Sequence, residues 1–250
     1  MPSSNPFYAS LTPFYHLIYA DWHASIQYQA KQLDSVVREA WGEATTILDV
    51  SCGIGTQAIG LAKLGYEVTA SDLSPEEIER AQQEARKRNL SIDFSVADMR
   101  SVHDHHQAEF DIVLSADNAV AHLLSDDEIL AAFRQFHACL RDGGGCIISV
   151  RDYDKEDLSR QQIKPYGIRE EGGVRWLAWQ VWDPHPPTYD VTMYFIEDRG
   201  DGDCRAHSMQ STYYAIGTNR LQELMREAGF NHVKRLDDRF FQPLIIGTKT

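Results

Sequence analysis

Polar and apolar positions alternate along this chain with two different periods. Between Ala24 and Trp41, Ile26, Leu33, Val36 and Val37 are spaced among polar residues, the pattern of an amphipathic helix. Ile47, Leu48 and Val50 then surround Asp49 in a short apolar run that reads as a buried strand. The pair Gly53 and Gly55 forms a tight loop, and Ala58, Ile59, Leu61, Ala62 and Leu64 resume a helical spacing. Next come a strand over Tyr66 to Ser71 ending at Asp72 and a capping box at Ser74-Pro75-Glu76-Glu77. The box predicts a helix from Pro75 to about Arg88. Further strands are predicted over Ser91 to Val96 and Phe110 to Ser115, separated by a polar, His-rich loop at His103 to His106. A second capping box at Ser125 to Glu128 opens a helix through Leu130, Phe133, Phe136 and Leu140, expected to stop at Gly143-Gly144 before a strand over Cys146 to Val150. Alternation this regular implies an α/β fold with a doubly wound, mostly parallel sheet that binds ligands outside the strand C-termini.

Beyond Asp154 the period changes. Val174 to Trp182, Tyr189 to Glu197 and Ala206 to Tyr214 are aromatic, β-rich segments divided by turn signals at Asp183-Pro184 and at Arg199 to Gly202. They predict an antiparallel insertion after strand five that lids a site. A helix from about Asn219 to Glu227, stopped at Gly229, and two strands near His232 to Leu236 and Phe241 to Lys249 complete a seven-stranded sheet. At the other end, Phe7, Tyr8, Phe14, Tyr15, Tyr19 and Trp22 are too many aromatics for a frayed terminus, and they predict a segment folded over something. The organisation expected is therefore a cover over 1–44, a core over 45–152, a lid over 153–214 and completion of the core over 215–250.

Composition narrows the class. With 43% hydrophobic content in 250 residues the chain can bury a full α/β core. The absence of a long apolar run and of a basic, apolar leader predicts a cytoplasmic protein without a membrane partner. Thirty-seven acids against 24 bases give a net charge of −13, which speaks against a nucleic-acid partner, since phosphates need a basic surface. Cys52, Cys139, Cys146 and Cys204 show no metal spacing and read as reduced thiols. The loop histidines have no carboxylate or cysteine framework, so no metal is expected.

The glycine loop is the candidate ligand cradle. Glycine permits positive φ and close approach of a ligand, and free N–H groups at a helix start favour negative charge. Gly53, Gly55 and Ala58 also fit the dinucleotide spacing G-x-G-x-x-A. A pyrophosphate here, however, would sit near Asp49, at a cost of roughly 1 to 4 kcal/mol. S-adenosylmethionine (SAM), with an ammonium, a sulfonium and no phosphate, suits the carboxylate better.

The stretch ILDVSCGIGT resembles motif I of the class I SAM-dependent methyltransferases, departing from it at Ser51, where glycine is usual. The resemblance implies a Rossmann-like methyltransferase fold with SAM as cofactor. It places Asp49, Ser51, Gly53 and Gly55 in the cradle and Asp72 on the ribose hydroxyls with Leu73 beside it. Asp98 and Met99 would lie at the adenine, and Ala116 at the end of strand four. In glycine N-methyltransferase-like enzymes a tyrosine at about the spacing of Tyr19 contacts SAM.

Asn118-Ala119-Val120-Ala121-His122-Leu123 and Val150 to Asp154 resemble the glycine and glycine/sarcosine N-methyltransferases. There the asparagine and arginine bind the amino acid, which assigns Asn118 and Arg151 to the substrate. Tyr214, in a Tyr-Tyr pair, and His122 complete the candidate catalytic set. Asp117 departs from the group, placing a carboxylate where a small residue is found. The expected activity is SAM-dependent methyl transfer to the amine of a small metabolite, foremost an amino acid such as glycine or sarcosine. An amino sugar or a hydroxyl-bearing natural product, and a non-catalytic SAM-binding regulator, are the alternatives. The partner expected is a small-molecule substrate, with a homo-oligomer left open.

Overall fold

The computed structural model describes residues 6–200 and 202–250. Residues 1–5 of the expected cover and Asp201 of the expected turn lie outside the described residues. The larger sheet is built from β1 (Thr46–Asp49), β2 (Glu67–Asp72), β3 (Asp93–Val96), β4 (Phe110–Ser115), β5 (Leu140–Ser149), β10 (Asn231–Leu236) and β11 (Leu244–Thr248). Its order is β10-β11-β5-β4-β1-β2-β3. Pairs from β5 to β3 are parallel, while β11 runs antiparallel to both β5 and β10.

Side chains alternate across this sheet. Leu48, Val113 and Ile148 point to one face, where α6 (Asp126–Ala138) and α7 (Thr218–Glu227) bring Phe133, Phe136, Leu221 and Leu224. Ile47, Ile112 and Ile147 point to the other, where α2 (Trp22–Trp41) and α3 (Thr56–Lys63) bring Leu33, Val36, Val37 and Leu61. The period-2 alternation thus builds a core on each face. Gly60 lets α2 and α3 cross closely, since a Cβ there would lie 2.6 Å from both Ala30 Cβ and the Ile26 carbonyl oxygen.

Three local expectations are corrected. α6 ends at Ala138, and Gly143-Gly144 lies inside β5, where Gly143 takes φ +82. The histidines at 103–106 fall in a short helix, α5 (Val102–His106), rather than a loop. Asp183-Pro184 belongs to a strand, because the chain turns between His185 and Thr188.

The lid is a four-stranded antiparallel sheet, β6-β7-β8-β9, made of Gln162–Glu171, Val174–His185, Thr188–Asp198 and Cys204–Tyr214. One of its faces carries Ala178, Met193, Phe195 and Met209. Phe7 and Leu11 of α1 (Pro6–Leu11), with Leu17 of the following 3-10 turn, pack on that face. The aromatic N-terminal segment is therefore a cover docked on the lid, with Phe14 stacked on Phe195 at 5.2 Å. Among the described residues no helix is long and apolar enough to cross a membrane.

Candidate active site

The strand C-termini open into a cavity of about 160 Å³ roofed by the N-terminal cover. Of the residues assigned to the cofactor from sequence, Tyr19, Ser51, Gly53, Asp72, Leu73, Asp98, Met99 and Ala116 line it. Asp49 and Gly55 lie behind this wall. Gly55, at φ +90, shapes the loop against Ile59 and Ala81. Asp49 accepts the Ser51 N–H at 3.3 Å with Oδ1, while its Oδ2 is buried without a partner. Burial pushes its carboxyl up to about 7.

Asp72 is held by the backbone. Its Oδ2 accepts the Gly53 N–H at 2.9 Å and its Oδ1 the Ser74 N–H at 3.0 Å, and the side chain lines the cavity with acceptor capacity to spare. Gly53, at φ +52, brings the loop close, because a Cβ would meet the Tyr15 ring at 3.3 Å. Asp98 is gripped by Arg100 through both carboxylate oxygens, and Arg100 also reaches Glu128 at 2.5 Å.

Among the lining residues, Asp72, Glu77, Asp98 and Asp117 are acids and Arg100 is the cationic side chain, already committed to carboxylates. A pyrophosphate would find no free cation here, whereas a sulfonium and an ammonium find carboxylates. The residues fit SAM. Residues 47–144 match the family model for a methyltransferase domain.

That match and the cavity's chemistry support a class I SAM-dependent methyltransferase. This methyltransferase is 30% identical over 135 residues to the glycine/sarcosine N-methyltransferase of Parasynechococcus marenigrum (strain WH8102), covering 54% of this chain and 47% of that relative. The match spans about half the length of that relative. Among solved structures, DesVI of Streptomyces venezuelae superposes with a TM-score of 0.83 at 18% identity, covering 95% of this chain and 98% of that one. SAM-bound CalS10, an amino pentose methyltransferase from Micromonospora echinaspora, gives 0.78 at 20% identity over 90% and 92%. At those identities the two structures speak for the fold.

A second, smaller cavity of about 50 Å³ adjoins the first, and Tyr8, Tyr15 and Asp117 line both. Arg151, Asn118, Tyr166, Gln180 and Tyr213 line the smaller one. Asp117 and Asn118 turn the chain after β4 through two left-handed residues, at φ +56 and +68. Ser149 fixes that turn: its Oγ accepts the Asp117 N–H at 2.9 Å and its carbonyl the Asn118 N–H at 3.1 Å. The Asn118 amide is bonded to the Tyr153 hydroxyl at 2.7 Å and to the Arg151 N–H at 3.0 Å, so it braces the wall behind Arg151.

The Arg151 guanidinium lies over the Trp182 ring at 4.4 Å and donates to the Tyr189 hydroxyl at 3.2 Å. Its neighbour Asp152 is taken by Arg235 at 2.6 Å and Lys155 at 3.0 Å. Asp117 accepts from Tyr19 and from Gln242, each at 3.3 Å. Burial raises its carboxyl, with Arg151 opposing.

His122 stands between the Tyr8 hydroxyl on Nε2 and Ser211 Oγ, 3.4 Å from Nδ1, with the Tyr213 ring at 4.1 Å. Burial lowers its pKa to about 3, so it is neutral at pH 7. Tyr214 is not brought to either cavity; its hydroxyl donates to Asp126 at 2.9 Å, and its neighbour Tyr213 faces inward instead. Among the described residues no cluster of His, Cys, Asp and Glu could hold a metal.

Sequence reasoning missed Tyr8, Tyr15, Glu77 and Arg100. The aromatic N-terminal stretch signalled a cover, but not which rings reach the cavities. Arg100, two residues past Asp98, carried no signal beyond its proximity to a site acid.

Proposed function

We propose that this methyltransferase transfers the methyl group of SAM to the amine of a small amino acid, with glycine and sarcosine the leading substrates. The observation that carries the reading is the smaller cavity, where the Arg151 guanidinium and the Asp117 carboxylate face one small space. A zwitterion is matched by opposite charges so placed. At about 50 Å³ the cavity takes roughly three to five water-sized groups, the scale of glycine or sarcosine and far below a nucleotide-linked sugar.

The geometry supports a role for each residue. Arg151 holds the substrate carboxylate by a charge-assisted fork, oriented by Trp182 beneath it and Tyr189 beside it. Asn118 and Tyr153 keep the Arg151 backbone in place. Asp117 stands on the shared wall, where it attracts the amine toward the cofactor cavity. When bound, SAM supplies an electrophilic methyl on its sulfonium. The ammonium gives its proton to the Asp117 carboxylate, whose proton affinity burial raises, and the protein positions the resulting neutral amine and excludes water, with Tyr8 and Tyr15 closing the site from the cover side. His122, neutral and bonded on both ring nitrogens, is a wall of that space.

The test is a panel of glycine, sarcosine, dimethylglycine, a carboxylate-free amine and a hydroxyl compound with labelled SAM. Glycine or sarcosine should be methylated in preference to the others. Arg151→Lys and then Arg151→Ala should lower kcat/KM progressively, by about 2 to 4 kcal/mol overall, with SAM affinity little changed. Equal turnover of the carboxylate-free amine, with Arg151→Ala intact, would sink the assignment.

A further inference from the structure

Ser74-Pro75-Glu76-Glu77 begins α4 (Pro75–Lys87), and only half of the expected capping box forms. Ser74 Oγ accepts the Glu77 N–H at 3.3 Å. The Glu77 carboxylate does not return the bond, because the Ser74 N–H is already given to Asp72 at 3.0 Å. Glu77 instead turns inward and lines the cofactor cavity beside Asp72, 1% exposed. Its Oε1 is buried without a hydrogen-bond partner, and its Oε2 lies 3.8 Å from where a Cβ on Gly53 would be.

An acid so placed is costly if ionised. The titratable groups around it are Asp72 on β2, Glu76 on its own helix, Cys52 in the glycine loop, and Tyr8 and Tyr15 on the cover. None is a cation. Two carboxylates sharing a dry site hold one proton between them, as like charges a few Å apart cannot both ionise cheaply. Asp72, which accepts two backbone N–H bonds, is the better place for the charge, and Glu77, with an empty oxygen, the better place for the proton. Burial, the Asp72 charge and a hydrogen bond to Asp72 all push the Glu77 carboxyl up.

We propose that Glu77 is a second ligand for the cofactor's nucleoside, a protonated carboxyl whose single O–H turns from Asp72 to donate to one ribose hydroxyl while Asp72 accepts from the other. The ribose diol then meets an acceptor and a donor on neighbouring side chains, and binding requires the pair to keep its one proton. This inference concerns the cofactor cavity alone and stands whichever substrate is methylated.

Adenosine is the probe, because it is neutral and lacks the sulfonium, ammonium and carboxylate of SAM. Calorimetric titration at pH 7 should give Glu77→Gln an affinity within about threefold of the parent, since the amide supplies a neutral donor. Glu77→Leu, matched in bulk but without a donor, should bind adenosine tenfold or more weakly. The infrared difference spectrum of parent minus Glu77→Gln should show a protonated-carboxyl band at pH 7 that shifts on adding adenosine. Glu77→Leu binding like the parent, Glu77→Gln binding as poorly as Glu77→Leu, or an absent or unmoved band would each overturn the proposal. If one variant does not fold, parent minus the other, with and without adenosine, isolates the same band, because the raised Asp49 and Asp117 carboxyls are common to both spectra.

Discussion

Single residues here are read through their surroundings, and His122 is the clearest case. Its neutral state at pH 7 is imposed by burial, which lowers its pKa from 6.5 to about 3. Between those values the unfolded chain binds the proton and the folded chain does not, so stability rises with pH across that window. As pH falls from 6.5 toward 3 that contribution is lost, by at most about 1.4 kcal/mol per unit. Urea unfolding of the parent at pH 7 and pH 5, against His122→Gln, should show a smaller pH dependence in the variant. Identical slopes would mean that the ring titrates freely. The sequence placed this histidine at the substrate rim but offered no sign of Tyr8 or Ser211 at its nitrogens, since those arrive from α1 and β9. Tyr214 shows the same limit. In a strand, neighbours face opposite ways, so a Tyr-Tyr pair announces one inward ring without saying which.

At the level of elements, the sequence was most informative where the hydrophobic period was clean. The parallel core strands and α2, α4 and α7 lie close to where periodicity and caps put them. β6 escaped notice because it is an edge strand that breaks the strand signature: Pro165 and Gly167 flank a bulge, and Ile163 and Ile168 are 69% and 60% exposed. The end of α6 was misread for a related reason, since glycines that signal a helix stop also permit the turn of backbone inside β5. The α2–α3 crossing depends on one such residue. Gly60→Ala would drive a methyl to 2.6 Å from Ala30 Cβ and the Ile26 carbonyl, and should destabilise by about 1 to 3 kcal/mol as overpacking does. Urea denaturation measures this, and an unchanged midpoint would show that the two helices can move apart freely.

For the molecule as a whole, the two cavities share a wall made by Asp117 after β4 and by Tyr8 and Tyr15 of the N-terminal cover. The cover is held on the lid by Phe7, Leu11, Leu17 and Phe14, a contact separate from the two cores of the larger sheet. It should therefore open locally, with a smaller free energy than global unfolding. Hydrogen exchange across residues 6–19 should be faster than in β4 and should slow on addition of SAM, while β4 changes little. Exchange unaltered by SAM would place the cover outside the binding equilibrium. The larger sheet has the opposite character. β11, last of its strands in chain order, is not at an edge but lies between β5 and β10, carrying Leu244, Ile245 and Ile246 into both cores. A nascent chain on the ribosome can form the glycine loop and its neighbouring strands early, yet until residues 244–248 emerge β5 has an unpaired side and β10 has no partner. Synthesis must thus run through β11 before the sheet can close. A stop codon ahead of residue 244 leaves an adhesive strand edge for chaperones to shield or proteases to find.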